Sequence, residues 1–147
     1  MSTSLEIGGG HLVQPGWTNL DPVNGVGEWK RLAQDTPWPV ADNSVKAIRA
    51  SHVMEHIPAG RDRIAVMNEA HRVLKEGGVF EIIVPLMTGT WHAIADPTHV
   101  SFWVVESFHY FDGLFAANAD YGIKLWNTIE LEVQHGFEGH WKGTPRK

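Results

Sequence analysis

Cysteine is absent from this chain of 147 residues. That excludes disulfides and thiolate metal sites, and it fits a reducing compartment. Long apolar runs are missing too. No stretch approaches the ~20 apolar residues of a membrane helix. The opening "MSTSLEIGGG" has neither the basic nor the apolar part of a secretion signal, so a cytoplasmic protein is expected. Basic charge is scarce: 12 Lys and Arg stand against 17 Asp and Glu, a formal net charge of −5. No basic face of the nucleic-acid-binding kind is visible. The only basic cluster, "HWKGTPRK", reads as a solvated, disordered end. Free nucleic acid is therefore disfavoured against a small molecule, sugar, lipid precursor or protein. Internal repeats and low-complexity segments are also lacking.

What is present suits one domain over residues 1–147, with a core at 4–112 and an edge strand and tail at 113–147. A domain of this size buries roughly 68–70% of its unfolded surface and needs no staples. "SLEI", followed by three glycines, reads as a buried strand ending in a tight turn. "GWTNLD" reads as a second strand ending at Asp21, and "WKRLAQD" as a weak third leading to Asp35. "PWPVADNS" is loop by its turn formers. A strand is expected over about 45–50. "RDRIAVMNEAHRVLKEGG" places Ile64, Met67, Ala70, Val73 and Leu74 at helical spacing, with Gly77 and Gly78 as the stop. "VFEIIVP" is nearly all apolar, as a central strand covered on both faces should be. "PTHVSFWVVESFHYF" reads as loop and then a short helix, and "KLWNTIELEVQ" as a half-exposed antiparallel edge strand. This order predicts an open, doubly wound, mostly parallel α/β sheet of Rossmann-like type. Most of the 7 tryptophans should fill its core.

"LEIGGG", "GWTNLD", "ADNSVKAIRASHVMEHI", "NEAHRVLKEGGVFEIIVP" and "DPTH", in that order, resemble the class I S-adenosylmethionine-dependent methyltransferases, and most closely small bacterial and phage members of the methyltransferase type 11 kind. The similarity covers residues 4 to about 112. It implies S-adenosylmethionine lying across the carboxyl ends of the parallel strands, where ligands of open α/β sheets sit. Carried over by position, it implies Glu6, Gly8 and Gly10 in the first loop, Asp21 on the ribose hydroxyls, Asp35 at the adenine amino group, and Ser51 and His52 beside the cofactor. Each has a plainer alternative: a turn for the glycines, a cap for Asp21, a surface acid for Asp35.

One departure stands out. Only residues 8–16 separate the first two strands, fewer than the dozen or more a parallel crossover normally takes. The first helix is expected to be missing or reduced to a turn, no helix precedes the first strand, and seven strands are not expected. The cofactor site is then more open, or closed by a second subunit in a homodimer. The same stretch disfavours a nicotinamide cofactor, since Val13 stands where the third glycine should fall and Asp21 follows the glycines too soon.

"SHVMEHIP" raises a second chemistry. His52, Glu55 and His56 match the H-x-x-E-H spacing of inverted zinc proteases. Those ligands need one regular helix, and this segment is a strand-to-helix junction ending at Pro58. A metal-dependent hydrolase is thus a distant alternative. Some methyltransferases bind a divalent cation through E-x-x-E-H; this chain has His52 in place of the first Glu and keeps Glu55 and His56, and a further ligand such as His99 can complete such a site. The favoured reading is instead packing and capping, with no metal. "TWHAIADPTHVSFW" borders the acceptor side, so His99, His52 and Asp96 are the candidates to orient or deprotonate an acceptor. Asp96 and His99 equally suit a structural latch. The expected activity is methyl transfer by positioning. The main alternative is a cofactor-binding module that needs a partner protein.

Overall fold

The computed structural model describes residues 3–25 and 29–147. Among the described residues six strands form one sheet: β1 (Thr3–Ile7), β2 (Thr18–Leu20), β3 (Val45–Ser51), β4 (Leu74–Pro85), β5 (Trp126–Gln134) and β6 (Glu138–Pro145). Their order is β2-β1-β3-β4-β6-β5. The first four run parallel, and β6 is antiparallel to both β4 and β5. Helix α1 (Arg61–Val73) links β3 to β4, and a short α2 (His109–Asp112) follows a 3-10 turn at Val105–Phe108. Between β1 and β2 the chain makes turns and no helix, as the short spacing requires.

The sheet is built from alternation. Leu5, Ile7, Ile48, Phe80, Ile82, Val84 and Trp141 point to one face and are fully or almost fully buried. Val66, Met67, Ala70 and Val73 of α1, with Phe108 and Phe111, pack into the same core. Trp38, Trp103, Trp126 and Trp141 are among its largest buried side chains. Trp126 and Trp141 meet edge to face at 5.5 Å between ring centres. The opposite face carries a row of charge across the strands. Glu6, Arg49, Glu81, Lys142 and Glu130 are successive register partners, with ion-pair distances of 3.7, 3.9, 3.9 and 3.3 Å. Opposite charges on directly facing strand positions stabilise a sheet, each pair by roughly 0.2–1 kcal/mol.

Three sequence expectations change. "WKRLAQD" is not a strand: Arg31 and Asp35 donate their amides to Trp29 O and Leu32 O in local turns. The adjacent β2 offers only three residues of edge, so turns satisfy this backbone better. Helix α1 stops at Val73, one turn before the glycines, because Leu74 already enters the sheet opposite Val45. Gly77, at φ 77°, instead turns the bulge between the pairs Val45–Leu74 and Ala47–Val79. The basic tail is not a loose end. "EGHWKGTP" is β6, with Gly139, Trp141, Gly143 and Pro145 buried on alternate positions. Beyond it, Arg146 donates to Asn127 Oδ1 at 2.7 Å and to Asp112 O at 2.8 Å. His71 Nε2 donates to Arg146 O at 2.9 Å, and Lys147 Nζ to His71 O.

Candidate active site

The carboxyl ends of β1 and β2 open into a cleft of about 310 Å³, the low end of the ~300–1,000 Å³ range of small-molecule sites. Ile7 and Gly8 line it from β1, Leu20 and Asp21 from β2, and Leu32, Ala33 and Gln34 from the turn that follows. His52, Val53, His56 and Ile57 close it from the exit of β3. A separate hollow of about 230 Å³ between Gly60, Arg63, Tyr110 and Tyr121 shares no lining residue with the cleft.

Gly8 is demanded by its backbone and by its neighbour. Its φ is +62°, and a Cβ there would stand 2.1 Å from Val53 Cγ2. The loop is tied to β2 by its amides. Gly8 N–H donates to Leu20 O at 2.8 Å, Gly9 to Asn19 Oδ1 at 3.0 Å and Gly10 to Asp21 Oδ2 at 3.3 Å. These bonds hold the helix-free crossover in place. Gly10 itself faces a neighbouring hollow with Trp17 and Asn19.

Asp21 works for both the loop and the cleft. Its Oδ1 accepts the amides of Val23 and Asn24, both at 2.8 Å. Burial pushes its pKa up, but those amides and that of Gly10 outweigh it and hold the carboxyl below its ordinary value. Among the described residues Oδ2 has only the long bond to Gly10, so it keeps acceptor capacity toward the cleft.

Other residues singled out by the sequence sit elsewhere. Glu6 is buried in the charged row, with Oε1 3.7 Å from Arg49 and Oε2 without a partner; burial pushes its pKa up, with Arg49 opposing. Asp35 is exposed and accepts the Leu32 amide at 3.3 Å, while Gln34 takes the place at the cleft. Ser51 ends β3 opposite Ile83 and does not line the cleft.

Of His52, Asp96 and His99, His52 alone lines the cleft. It has φ +56°, a left-handed conformation that is uncommon outside glycine. It follows β3 directly, and a single 3-10 turn at Met54–His56 comes next. His52 and His56 therefore share no regular helix, and the inverted-protease geometry is not built. His52 Nε2 lies 3.0 Å from Glu138 Oε2, and His140 Nε2 lies 2.6 Å from Glu138 Oε1. Sequence reasoning missed Glu138 and His140 because His140 lies in the segment read as a solvated end and Glu138 between that segment and the expected edge strand. Their alternation with Gly139 and Trp141 was the available signal.

His99 and Asp96 gather instead with Glu55 and His56. One ligand-type atom from each of Glu55, His56 and His99 lies within 4.8 Å of the others. His99 Nε2 is 3.7 Å from Asp96 Oδ2. Burial pushes the Glu55 pKa up, opposed by its own amide and the nearby histidines. Thr98 donates both its amide, at 2.8 Å, and its hydroxyl, at 2.6 Å, to Asp96 Oδ1. The latch expected of Asp96 is thus made largely with Thr98.

Residues 24–82 match a family model described as a methyltransferase domain. No curated protein sequence matches the chain. Among solved structures, an S-adenosylmethionine-dependent methyltransferase from Archaeoglobus fulgidus superposes with a TM-score of 0.73 at 13% identity, covering 97% of this chain and 86% of that one. A methyltransferase solved with the Trm112 activator from Haloferax volcanii gives 0.65 at 14%, covering 99% and 82%. A 16S rRNA adenine methyltransferase variant from Catenulisporales acidiphilia, solved with its cosubstrate S-adenosylmethionine, gives 0.57 at 15%, covering 99% and 87%.

Proposed function

We propose that this chain is a class I S-adenosylmethionine-dependent methyltransferase, which binds the cofactor in the cleft of Gly8 and Asp21 and passes the methyl group to an acceptor mainly by positioning. The observation that carries the reading is the meeting of those two residues at the carboxyl ends of β1 and β2, beside a cleft of adequate size. The cofactor's chemistry is a methyl group already activated on sulfonium sulfur.

The chain's own residues supply the rest. Gly8 presents backbone without a side chain, Asp21 Oδ2 accepts ribose hydroxyls, and Leu20, Leu32 and Ile57 give the adenine apolar walls. Ring orientation matters at His52. If Nε2 donates to Glu138, Nδ1 is the basic nitrogen for an acceptor that must lose a proton. Holding acceptor, methyl carbon and sulfur in line then supplies most of the rate. His99 and Asp96 remain candidates that act from the neighbouring cluster.

The protein works as a single domain in the cytoplasm in this reading. Among the described residues no helix is long and apolar enough to cross a membrane. A second reading makes the chain a cofactor-binding module completed by a partner or by a second copy. It is favoured by the missing first-crossover helix and the part-exposed charged row, and the Haloferax neighbour was itself solved with an activator protein.

The test is transfer of labelled methyl from S-adenosylmethionine to fractionated acceptors by the isolated protein. Label on an acceptor with wild type, and none with Asp21→Asn, supports the enzyme. Cofactor binding without transfer, with transfer restored by an added protein, supports the module instead.

A further inference from the structure

Two histidines beside the cleft point lone pairs at carboxylates. His56 Nδ1 lies 3.1 Å from Thr98 O, and His99 Nδ1 lies 2.8 Å from Ala93 O. A carbonyl oxygen only accepts, so Nδ1 carries the proton in both rings and Nε2 holds the lone pair of the neutral form. Yet His56 Nε2 stands 3.5 Å from Glu55 Oε1, and His99 Nε2 stands 3.7 Å from Asp96 Oδ2. With neutral rings, acceptors face acceptors. A proton or a bound cation between them relieves the clash.

The carboxylate makes the same demand independently. Glu55 is 2% exposed, and its Oε2 is buried with no hydrogen-bond partner. Leaving such a group unsatisfied costs about 1–3 kcal/mol, more if it is charged. The surrounding backbone fixes this arrangement. The amides of Val100 and Ser101 donate to Glu55 O at 2.9 and 3.2 Å, and Ser101 Oγ donates to Met54 O at 3.0 Å. The His56 and His99 rings meet edge to face at 4.9 Å.

We propose that Glu55, His56 Nε2 and His99 Nε2 bind one divalent transition-metal ion, zinc or a close analogue, at the edge of the cofactor cleft. A ring whose Nδ1–H is tied to a carbonyl is the usual support of a metal-bound imidazole, fixing tautomer and orientation. Two imidazoles with one carboxylate select zinc-like ions over magnesium or calcium, which take oxygen. The donor atoms lie within 4.8 Å of one another. A tetrahedron with ~2.1 Å bonds has edges of about 3.4 Å, so side-chain shifts of about an ångström close the site. Three protein ligands leave the fourth position open, to water, to the nearby Asp96 carboxylate, or to a ligand group. His56 lines both the cluster and the cleft, so the ion borders the reacting region. His52 is not part of this set, its ring being held by Glu138.

The experiment uses untagged, chelator-stripped protein titrated with zinc chloride by calorimetry, and with cobalt(II) by visible absorption. One ion is expected to bind, with the intense ligand-field bands of a four-coordinate cobalt site. Glu55→Gln and His99→Ala should each weaken binding about tenfold or more. A readout on wild type alone guards against variants that misfold. In long-range nitrogen-15 spectra of the 9 histidines, one equivalent of zinc should shift two Nε2 resonances while their Nδ1 stays protonated. Failure of wild type to take up one ion, undiminished uptake in both variants, or no paired Nε2 shift overturns the proposal. None of these readouts involves S-adenosylmethionine, so they fail or succeed independently of the cofactor reading.

Discussion

Alanine at Gly8 and alanine at Gly10 should behave differently, although both glycines have positive φ. Gly8 sits at +62° and Gly10 at +56°. Each substitution places an L side chain in the left-handed region, at about 1–2 kcal/mol. At Gly10 nothing lies within 4 Å of the added Cβ, so the cost ends there. At Gly8 the Cβ meets Val53 Cγ2 at 2.1 Å. Relieving that overlap adds about 1–3 kcal/mol, for a total of about 2–5 kcal/mol. In a domain of this size each kcal/mol moves Tm by about 2–4 °C. Gly10→Ala should then lower Tm by about 2–8 °C and Gly8→Ala by about 4–20 °C. Adding Val53→Ala should relieve much of the Gly8→Ala loss and none of the Gly10→Ala loss. The double-mutant cycle should return a coupling of roughly 1–3 kcal/mol for Gly8–Val53 and near zero for Gly10–Val53. Differential scanning calorimetry on the variants measures all of this. Equal Tm losses at the two glycines, or strict additivity of Gly8→Ala with Val53→Ala, would refute the packing of the first loop against the exit of β3.

Three further outcomes follow from other parts of the chain. Arg72 donates to Glu69, Asp42, Trp38 O and Val40 O, fastening residues 38–42 to α1. Arg72→Met should cost at least about 1.5–3 kcal/mol in urea unfolding. Burial, with Lys147 nearby, holds the His71 pKa below its ordinary 6.5. The unfolded chain therefore binds the proton more tightly, and stability should fall as pH drops below 6.5; His71→Gln should flatten that slope in a pH series of melts. Asp21 is shifted down from 3.8, so its stabilisation is present above 3.8 and is lost as pH falls through its lower folded value. Asp21→Asn should remove that acid limb, and an unchanged acid profile would count against the amide cage around Asp21.

The parts of the fold that could be read from sequence are those with a strong local period. "VFEIIVP" and the helix carrying Met67, Ala70 and Val73 declare themselves, because each is a run of apolar residues with one spacing. The strand β6 escaped because glycine, histidine, lysine and proline occupy positions where its role is set by Trp141 and by partners far away in the chain. That Gly8 and Asp21 meet at one cleft was legible through the resemblance, which sets a glycine after the first strand and an acid after the second. Asp35 was not, because the turn at 32–35 brings Gln34 to the cleft and turns its neighbour outward. The pairing of Glu55 with His99 depends on how the loop after β4 returns to the 3-10 turn, through Glu55 O. Sequence offers the residues for that contact but not the fold-back. Glu138 beside His52 likewise needs the antiparallel return of β6 next to β4.

Calorimetric titration of S-adenosylmethionine into wild type and Asp21→Asn decides whether the cleft at Asp21 holds the cofactor. Asparagine can keep an oxygen for the Val23 and Asn24 amides that now use Oδ1. It replaces Oδ2 by an NH₂ group, which cannot accept ribose hydroxyls. A hydrogen bond to a charged group contributes about 1.5–3 kcal/mol, and 1.4 kcal/mol is tenfold in Kd. One site is expected in wild type, and a Kd at least about tenfold higher in the variant, with the fold intact. Equal affinity in the two proteins, or no binding to wild type, would contradict that placement.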